Sequence, residues 1–377
     1  MAEKHAALVI GVCSHGLSVI RSLHANGVTV FAVEKSTDIP GVKTNTISQL
    51  FKVKDFSAEE LLVSLPQIRQ SLSQWNEIVL FATNDNHVKF ICDHYPTLAT
   101  YFKISWAEQR KTINQLLDKR NLEHLSKVAG LNYPKSAIID KCSLQNVVLS
   151  NFRYPVIIKP AKPLSSFKTQ IAVNHEEVTK LIEKFAADLP LVAQEYIEGS
   201  DQTLYFCALT LRAGKHIQSM VGQKISSYPP ARGQTTIAQT LENHEITDFT
   251  LRFFNQFKLS GPVSLELKKA PDNTFWVIEP TVGRTDFWSE LCIKAGFHQP
   301  YQEYLIALDQ QVFVTPLTSA VWFDCERAPL NYLKACWTQK TFKPFGKPPA
   351  FTYFRLGDLK PFFAACLLLF KRLVLKR

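Results

Sequence analysis

The sequence predicts a mixed fold, α/β at its start and α+β after it: a Rossmann-like domain followed by long antiparallel strands. Three observations lead there. Residues 6–33 read as a strand, a tight turn, a helix and a second strand. From Tyr154 the order becomes strand, strand, helix, strand, and long hairpins follow. Residues 263–279 form a hairpin that carries two glutamates on its polar side,.

The first domain opens on AALVIG (6–11), an apolar run suited to a buried parallel strand,. Ser14, His15 and Gly16 make a turn, and residues 17–26 read as a helix that Gly27 ends,. VTVFAV (28–33) is the second strand, closing on Glu34. Gly11 and Gly16 form a GxxxxG, not the GxGxxG of dinucleotide sites, and a tight strand-to-helix turn needs small residues with or without a ligand,. EIVLFA (77–82) is a further buried strand ending at Thr83-Asn84-Asp85-Asn86. Ligands gather at such carboxyl ends, so Asp85 is placed for a site; as the N-cap of a helix starting near His87 it is equally explained. A helical segment spans 109–130 and carries Asp118-Lys119-Arg120.

In the second region, PVIIKPA after Tyr154 is a strand and residues 169–173 a short one. A helix over 176–188 and a strand over 191–199 follow. Residues 202–212 and 216–221 read as a hairpin around Ala213-Gly214, and 246–257 as a helix. The last hairpin turns at Ala270-Pro271-Asp272-Asn273,. Residues 314–377 are rich in aromatics and prolines and assign no role to themselves.

At 377 residues, 46% hydrophobic and 20% charged, the chain is globular and large enough for two or three domains,. Its +10 formal charge suits an anionic partner, and spread along the chain without a recognised nucleic-acid module it does not point to nucleic acid,. Eight cysteines stand singly with no CxxC, which fits reduced thiols of a cytoplasmic protein,. No apolar run approaches the roughly 20 residues of a spanning helix. The tail PFFAACLLLFKRLVLKR reads either as a terminal helix packed on the domain or as a basic amphipathic helix on an anionic bilayer,.

The chemistry concentrates in a few places. Alternation in VSLELK turns Ser264, Glu266 and Lys268 to one face, and Glu279 ends the partner strand,. Two carboxylates brought together need a cation between them. Mg²⁺ with phosphate oxygens supplies one; so does pairing of each glutamate with Lys268 or Arg284. Lys159 sits in an otherwise apolar strand and must reach a partner, for which a phosphate is suited,. QEYIEGSD (194–201) offers Glu195, backbone at Tyr196 and Ile197, and Asp201, the groups an adenine-and-ribose pocket uses. Lys224, Tyr228 and Arg232 lie in GQKISSYPPARGQTT, a loop that either reads a substrate carboxylate or is merely solvated,.

The ordered set Asp118-Lys119, Ile158-Lys159-Pro160, QEYIEGSD, Leu265-Glu266-Leu267 and IEPTVGR (278–284) resembles the ATP-grasp superfamily of carboxylate–amine ligases, over roughly 6–308. It is similar to D-aspartate ligase and the carbamoyl-phosphate-synthase-like group, several of which are associated with envelope or exopolysaccharide biosynthesis. The resemblance implies a Rossmann-like pre-ATP-grasp domain (1–110), a two-lobed ATP-grasp domain (111–310, central lobe about 135–200) and a C-terminal extension (311–377). It implies an ADP-forming ligase that makes an amide through an acyl phosphate, using ATP with Mg²⁺ or Mn²⁺ and small-molecule carboxylate and amine substrates; a homodimer is one admissible assembly. Lys119 and Lys159 would hold phosphates, and Ser165, Ser166 and Lys168 would cover them where the family has glycines. Glu195, Tyr196 and Ile197 would hold adenine and Asp201 ribose. Glu266 and Glu279 would ligate the metal, with Thr281 where the family usually has Asn. Arg284 would stabilise the acyl phosphate or the tetrahedral intermediate. The rival expectations are a degenerate grasp that binds nucleotide without turnover, a Rossmann oxidoreductase, and a peripheral membrane protein built around the tail.

Overall fold

The computed structural model describes residues 4–141, 151–161, 166–167, 169–230 and 233–374, the side chains of 372 and 373 excepted. AALVIG forms β1 (His5–Ile10), buried from Ala6 onward. With β2 (Thr29–Glu34), β3 (Gln49–Lys52) and β4 (Glu77–Phe81) it makes a parallel sheet of order β3-β2-β1-β4. Its apolar faces are covered on both sides, which is why β1 reads as an unbroken hydrophobic run,.

The turn expected at Ser14-His15-Gly16 is instead the first turn of the helix Ser14–Ala25. Gly11 has φ +88°, and a Cβ on Gly16 would stand 2.1 Å from the Gly11 carbonyl oxygen. Helix and strand end therefore meet backbone to backbone, and both glycines are explained by packing alone. Asn84, not Asp85, caps the helix Asp85–Asp93 by accepting from the His87 N–H, which releases Asp85 for another partner.

The helix expected over 109–130 is broken. Helices Arg110–Leu117 and Leu122–Val128 are separated by a 3₁₀ turn, Lys119–Asn121. The Asp118 carboxylate accepts from the Arg120 N–H at 3.0 Å and so competes with the helical backbone,.

A second sheet holds β5 (Ser136–Ile139), β6 (Val156–Pro160), β7 (Gln170–Ala172) and β8 (Leu191–Glu195), antiparallel in the order β5-β8-β6-β7. The helix His175–Lys184 buries Val178 and Ile182 on it, and this small sheet has its own core. β8 stops at Glu195 rather than running to 199.

The third sheet has seven strands: β9 (Leu204–Arg212), β10 (Lys215–Tyr228), β11 (Gln234–Leu241), β12 (Gly261–Lys269), β13 (Phe275–Val282), β14 (Val321–Phe323) and β15 (Pro349–Phe351). Their order is β13-β12-β9-β10-β11-β14-β15. β10 is 14 residues long, so Lys224 and Tyr228 belong to a strand and not to the loop the sequence suggested. The aromatic C-terminal segment, whose role the sequence left open, supplies β14 and β15. One core joins the first sheet to the large one through Leu8, Trp106, Leu116, Leu209 and Leu265.

Candidate active site

The site begins with the register of β12 and β13, which sets Glu266 directly opposite Glu279. A bulge between Glu266 and Leu267 shifts the ladder there and lets Glu279, three residues inside the end of β13, face the same point,. Opposed carboxylates repel at this spacing. Glu279 is relieved by Lys119, whose Nζ lies 3.1 Å away. The 3₁₀ turn after Asp118 is what aims Lys119 at the hairpin. Burial disfavours the Lys119 charge, but Glu279, Asp85 and Glu266 together hold its pKa above the ordinary lysine value.

Glu266 has no such partner: no hydrogen bond or ion pair reaches its carboxylate among the described residues. Burial pushes it up to about 7, Lys224 opposes, and Glu279 and Asp286 push further in the same direction. Across from it, on β6, Lys159 is buried with its Nζ 2.9 Å from the amide oxygen of Gln194. Burial and the charge of Lys119 bring it down to about 8, against the pull of Glu279 and Glu266. The partner that its burial demanded is thus a neutral amide, not a fixed anion.

Arg284 does not pair with Glu279. Its Nε donates to Asp85 at 2.7 Å, joining the end of β13 to the carboxyl end of β4 across 199 residues. Burial opposes the Arg284 charge, and Asp85 and Asp286 outweigh it. Beside it, His15 Nδ1–H donates to the Thr83 carbonyl at 3.0 Å, which leaves Nε2 to accept from the Thr285 hydroxyl at 2.8 Å,. Burial, then Arg284, drive His15 down to about 3, so it stays neutral.

Asp286 is a site residue that sequence reading missed. It lies two places after Arg284 in GRTDFW and accepts from Ser264 at 3.1 Å and Thr281 at 3.2 Å. Burial raises its pKa. The Thr281 hydroxyl is therefore already committed to a carboxylate. With its hydrogen donated there, the oxygen lone pairs are what it has left to offer another partner,.

At the other end, Asp201 pairs with the buried Lys224 at 3.1 Å and accepts from Ser227 at 2.7 Å. Neither is a solvated loop group. Glu195 accepts the Arg153 N–H at 3.0 Å, and the Tyr196 N–H is taken by the Pro155 carbonyl. Lys268 lies 4.5 Å over the Tyr196 ring, with Ile197 in the irregular run beyond. Ser166 turns to Asp188. Lys168, Ser165 and Arg232 lie outside the described residues.

The chain thus brings Glu266, Glu279, Lys119, Lys159 and Arg284 into one electrostatic neighbourhood, with Lys224 at its margin. Among the described residues no group of three or more His, Cys, Asp or Glu could hold a metal ion. One or two carboxylates completed by phosphate oxygens is the arrangement Mg²⁺ ordinarily takes, and an unpartnered Glu266 opposite Glu279 fits it.

No family model matches the chain. Solved structures do. The ADP complex of N5-carboxyaminoimidazole ribonucleotide synthetase aligns with a TM-score of 0.69 at 10% identity, over 90% of this chain and 86% of that one. Carboxyaminoimidazole ribonucleotide synthase from Aspergillus clavatus complexed with ATP aligns at 0.68 and 13%, over 89% and 86%. L-amino acid ligase from Bacillus licheniformis aligns at 0.63 and 15%, over 82% and 75%. At these identities the likeness shows the fold: a parallel first sheet followed by the two sheets of an ATP-grasp, as the resemblance implied.

Proposed function

We propose that the chain is an ADP-forming ligase that joins a carboxylate to an amine at the expense of ATP. The observation that carries this reading is the direct opposition of Glu266 and Glu279, the first without an ion pair or hydrogen bond among the described residues, near a buried Lys159 whose one bond there is to an amide. In support, proteins of the same fold include an L-amino acid ligase and enzymes crystallised with ADP or ATP.

In this reading Glu266, Glu279 and the Thr281 hydroxyl oxygen would hold Mg²⁺, which would supply neutralisation of the phosphate charge. Lys119, Lys159 and Lys168 hold phosphate oxygens. Glu195, Tyr196 and Ile197 border adenine. Asp201 takes the ribose hydroxyls while Lys224 and Ser227 fix its position. The substrate carboxylate attacks the γ-phosphate and ADP leaves. The amine then displaces phosphate from the acyl phosphate, while Arg284, anchored by Asp85, faces the charge that develops. Arg232 completes the reading of the acid. The division into 1–110, 111–310 and 311–377 belongs to the same proposal. The acid and amine are an amino acid pair or a precursor of an envelope or secreted polysaccharide.

The test is ADP release by the purified protein with Mg²⁺ against pairs of acids and amines. Release that needs both partners supports the ligase. A second reading, a grasp that binds nucleotide without turnover, draws on the commitment of Thr281 to Asp286; Mg²⁺-dependent ATP binding with no release for any pair favours it.

A further inference from the structure

Basic residues occur along the whole chain, but the net charge does not. Of its 43 basic and 33 acidic residues, ten and one stand in 328–377, so this segment alone carries +9 of the +10 formal charge. Its single acid, Asp358, is buried against Arg21 at 2.7 Å and contributes nothing to the surface.

The same segment exposes apolar side chains. The helix Lys360–Val374 packs beside the turn Pro40–Lys43 of the first region. Its outer side carries Phe363, Leu367, Phe370 and Val374, exposed by 63%, 55%, 64% and 53%. Their spacing of four, three and four places them on one face of a helix. Just before it in the chain, Trp337 and Phe342 are 87% and 84% exposed. A face of this kind left to water is costly; an aromatic and aliphatic stripe beside lysines such as Lys371 is the composition of helices that lie in a lipid headgroup layer.

We propose that this face docks on a bilayer surface containing anionic lipid. Charge selects the occupant. A second copy would bring an equally basic face against this one, whereas anionic headgroups neutralise it and the acyl boundary takes up the stripe. The helix has 15 residues, and no described helix is long and apolar enough to cross a membrane, so it lies along the surface rather than spanning it,. Docking of this kind requires no turnover, so vesicle binding and ADP release succeed or fail separately.

The experiment is flotation of the full chain with vesicles of phosphatidylcholine alone and of phosphatidylcholine mixed with phosphatidylglycerol. Binding to the mixed vesicles is expected to exceed binding to the neutral ones at least about tenfold and to weaken as salt rises. Leu367→Glu with Phe370→Glu should weaken it by a further factor of about ten or more, with the unfolding temperature unchanged because both side chains are exposed. Lys360→Gln with Lys371→Gln, on the same side of the helix as Leu367, should narrow the gap between the two vesicle types,. Absence of binding to the anionic vesicles overturns the proposal. So does binding that the glutamate variant leaves intact. A concentration-dependent dimer that the glutamate variant abolishes, without vesicle binding, overturns it in favour of self-association.

Discussion

Lys159 on the small sheet and Glu266 on the large one are both pushed toward neutrality by burial, yet their neighbourhoods differ. The small sheet carries its charge alone: Lys159 meets an amide oxygen and feels the like charge of Lys119. The large sheet is crowded with compensated charges. Glu279 has Lys119, Asp201 has Lys224, and Arg284 at its end has Asp85. Glu266 has no ion pair among the described residues and feels Lys224 and Lys159 only at a distance. The two regions therefore each hold a buried charge without an ion pair, a cation on one and an anion on the other. A magnesium nucleotide would supply a partner to both.

The comparison breaks most sharply if the large-sheet side is emptied. Glu266→Ala and Glu279→Ala should each lower ADP release by at least about 100-fold, read in a coupled assay with the fold checked by circular dichroism. Full turnover in both would remove the metal role. On the small-sheet side, Lys159→Met should weaken nucleotide binding by about 10- to 100-fold, read by calorimetry. It should also change the pH profile of stability. With a value of about 8 in the folded chain against 10.5, the unfolded chain holds more proton between those limits, so Lys159 makes stability rise with pH across that window,. The methionine variant should lose this rise and be more stable than the parent below pH 8, by up to about 3 kcal/mol in chemical denaturation. A variant less stable at every pH would mean that Lys159 is a structural member of the small sheet.

The compensated pairs serve as the contrast. Arg284→Met leaves Asp85 mostly buried without its cation and should cost about 3–5 kcal/mol of stability, part of it recovered when Asp85→Asn is added. ADP release should fall in both, because the recovery is of the fold and not of the charge facing the substrate. The smallest effect is expected from Thr281→Asn. An amide carbonyl is a better magnesium ligand than a hydroxyl committed to Asp286, so the magnesium dependence of ADP release should shift a few-fold toward lower concentration. An unchanged dependence would separate residue 281 from the metal.

How much of this was legible in the sequence follows from the range of each interaction. The period-two alternation of VSLELK and the turn at residues 270–273 make the hairpin and the polar side of Glu266 legible, but the register they set faces Glu266 with Ile278; only the bulge before Leu267, which leaves no sequence signal, brings Glu279 opposite,. The parallel opening was equally legible, because β1 is an unbroken apolar run. The break at Asp118 is local and was overlooked, although an aspartate followed by polar residues is a known competitor for the helical backbone. The Arg284–Asp85 pair spans 199 residues and leaves no periodic trace. Lys224 was misplaced because the prolines and glycine after Tyr228 made the end of β10 look like loop. β14 and β15, three residues each, are too short to show a period at all. Asp286 lacked any spacing signal and is found only through its bonds to Ser264 and Thr281.

The most direct test is the affinity for ATP measured calorimetrically with and without Mg²⁺, for the parent chain and for Glu266→Gln. Two buried charges of opposite sign without ion pairs predict binding that strengthens at least about tenfold with Mg²⁺ in the parent and loses that gain in the variant. Affinity that ignores Mg²⁺ in both proteins, or no binding at all, would contradict it and return Glu266 and Lys159 to the status of buried charges the fold merely tolerates.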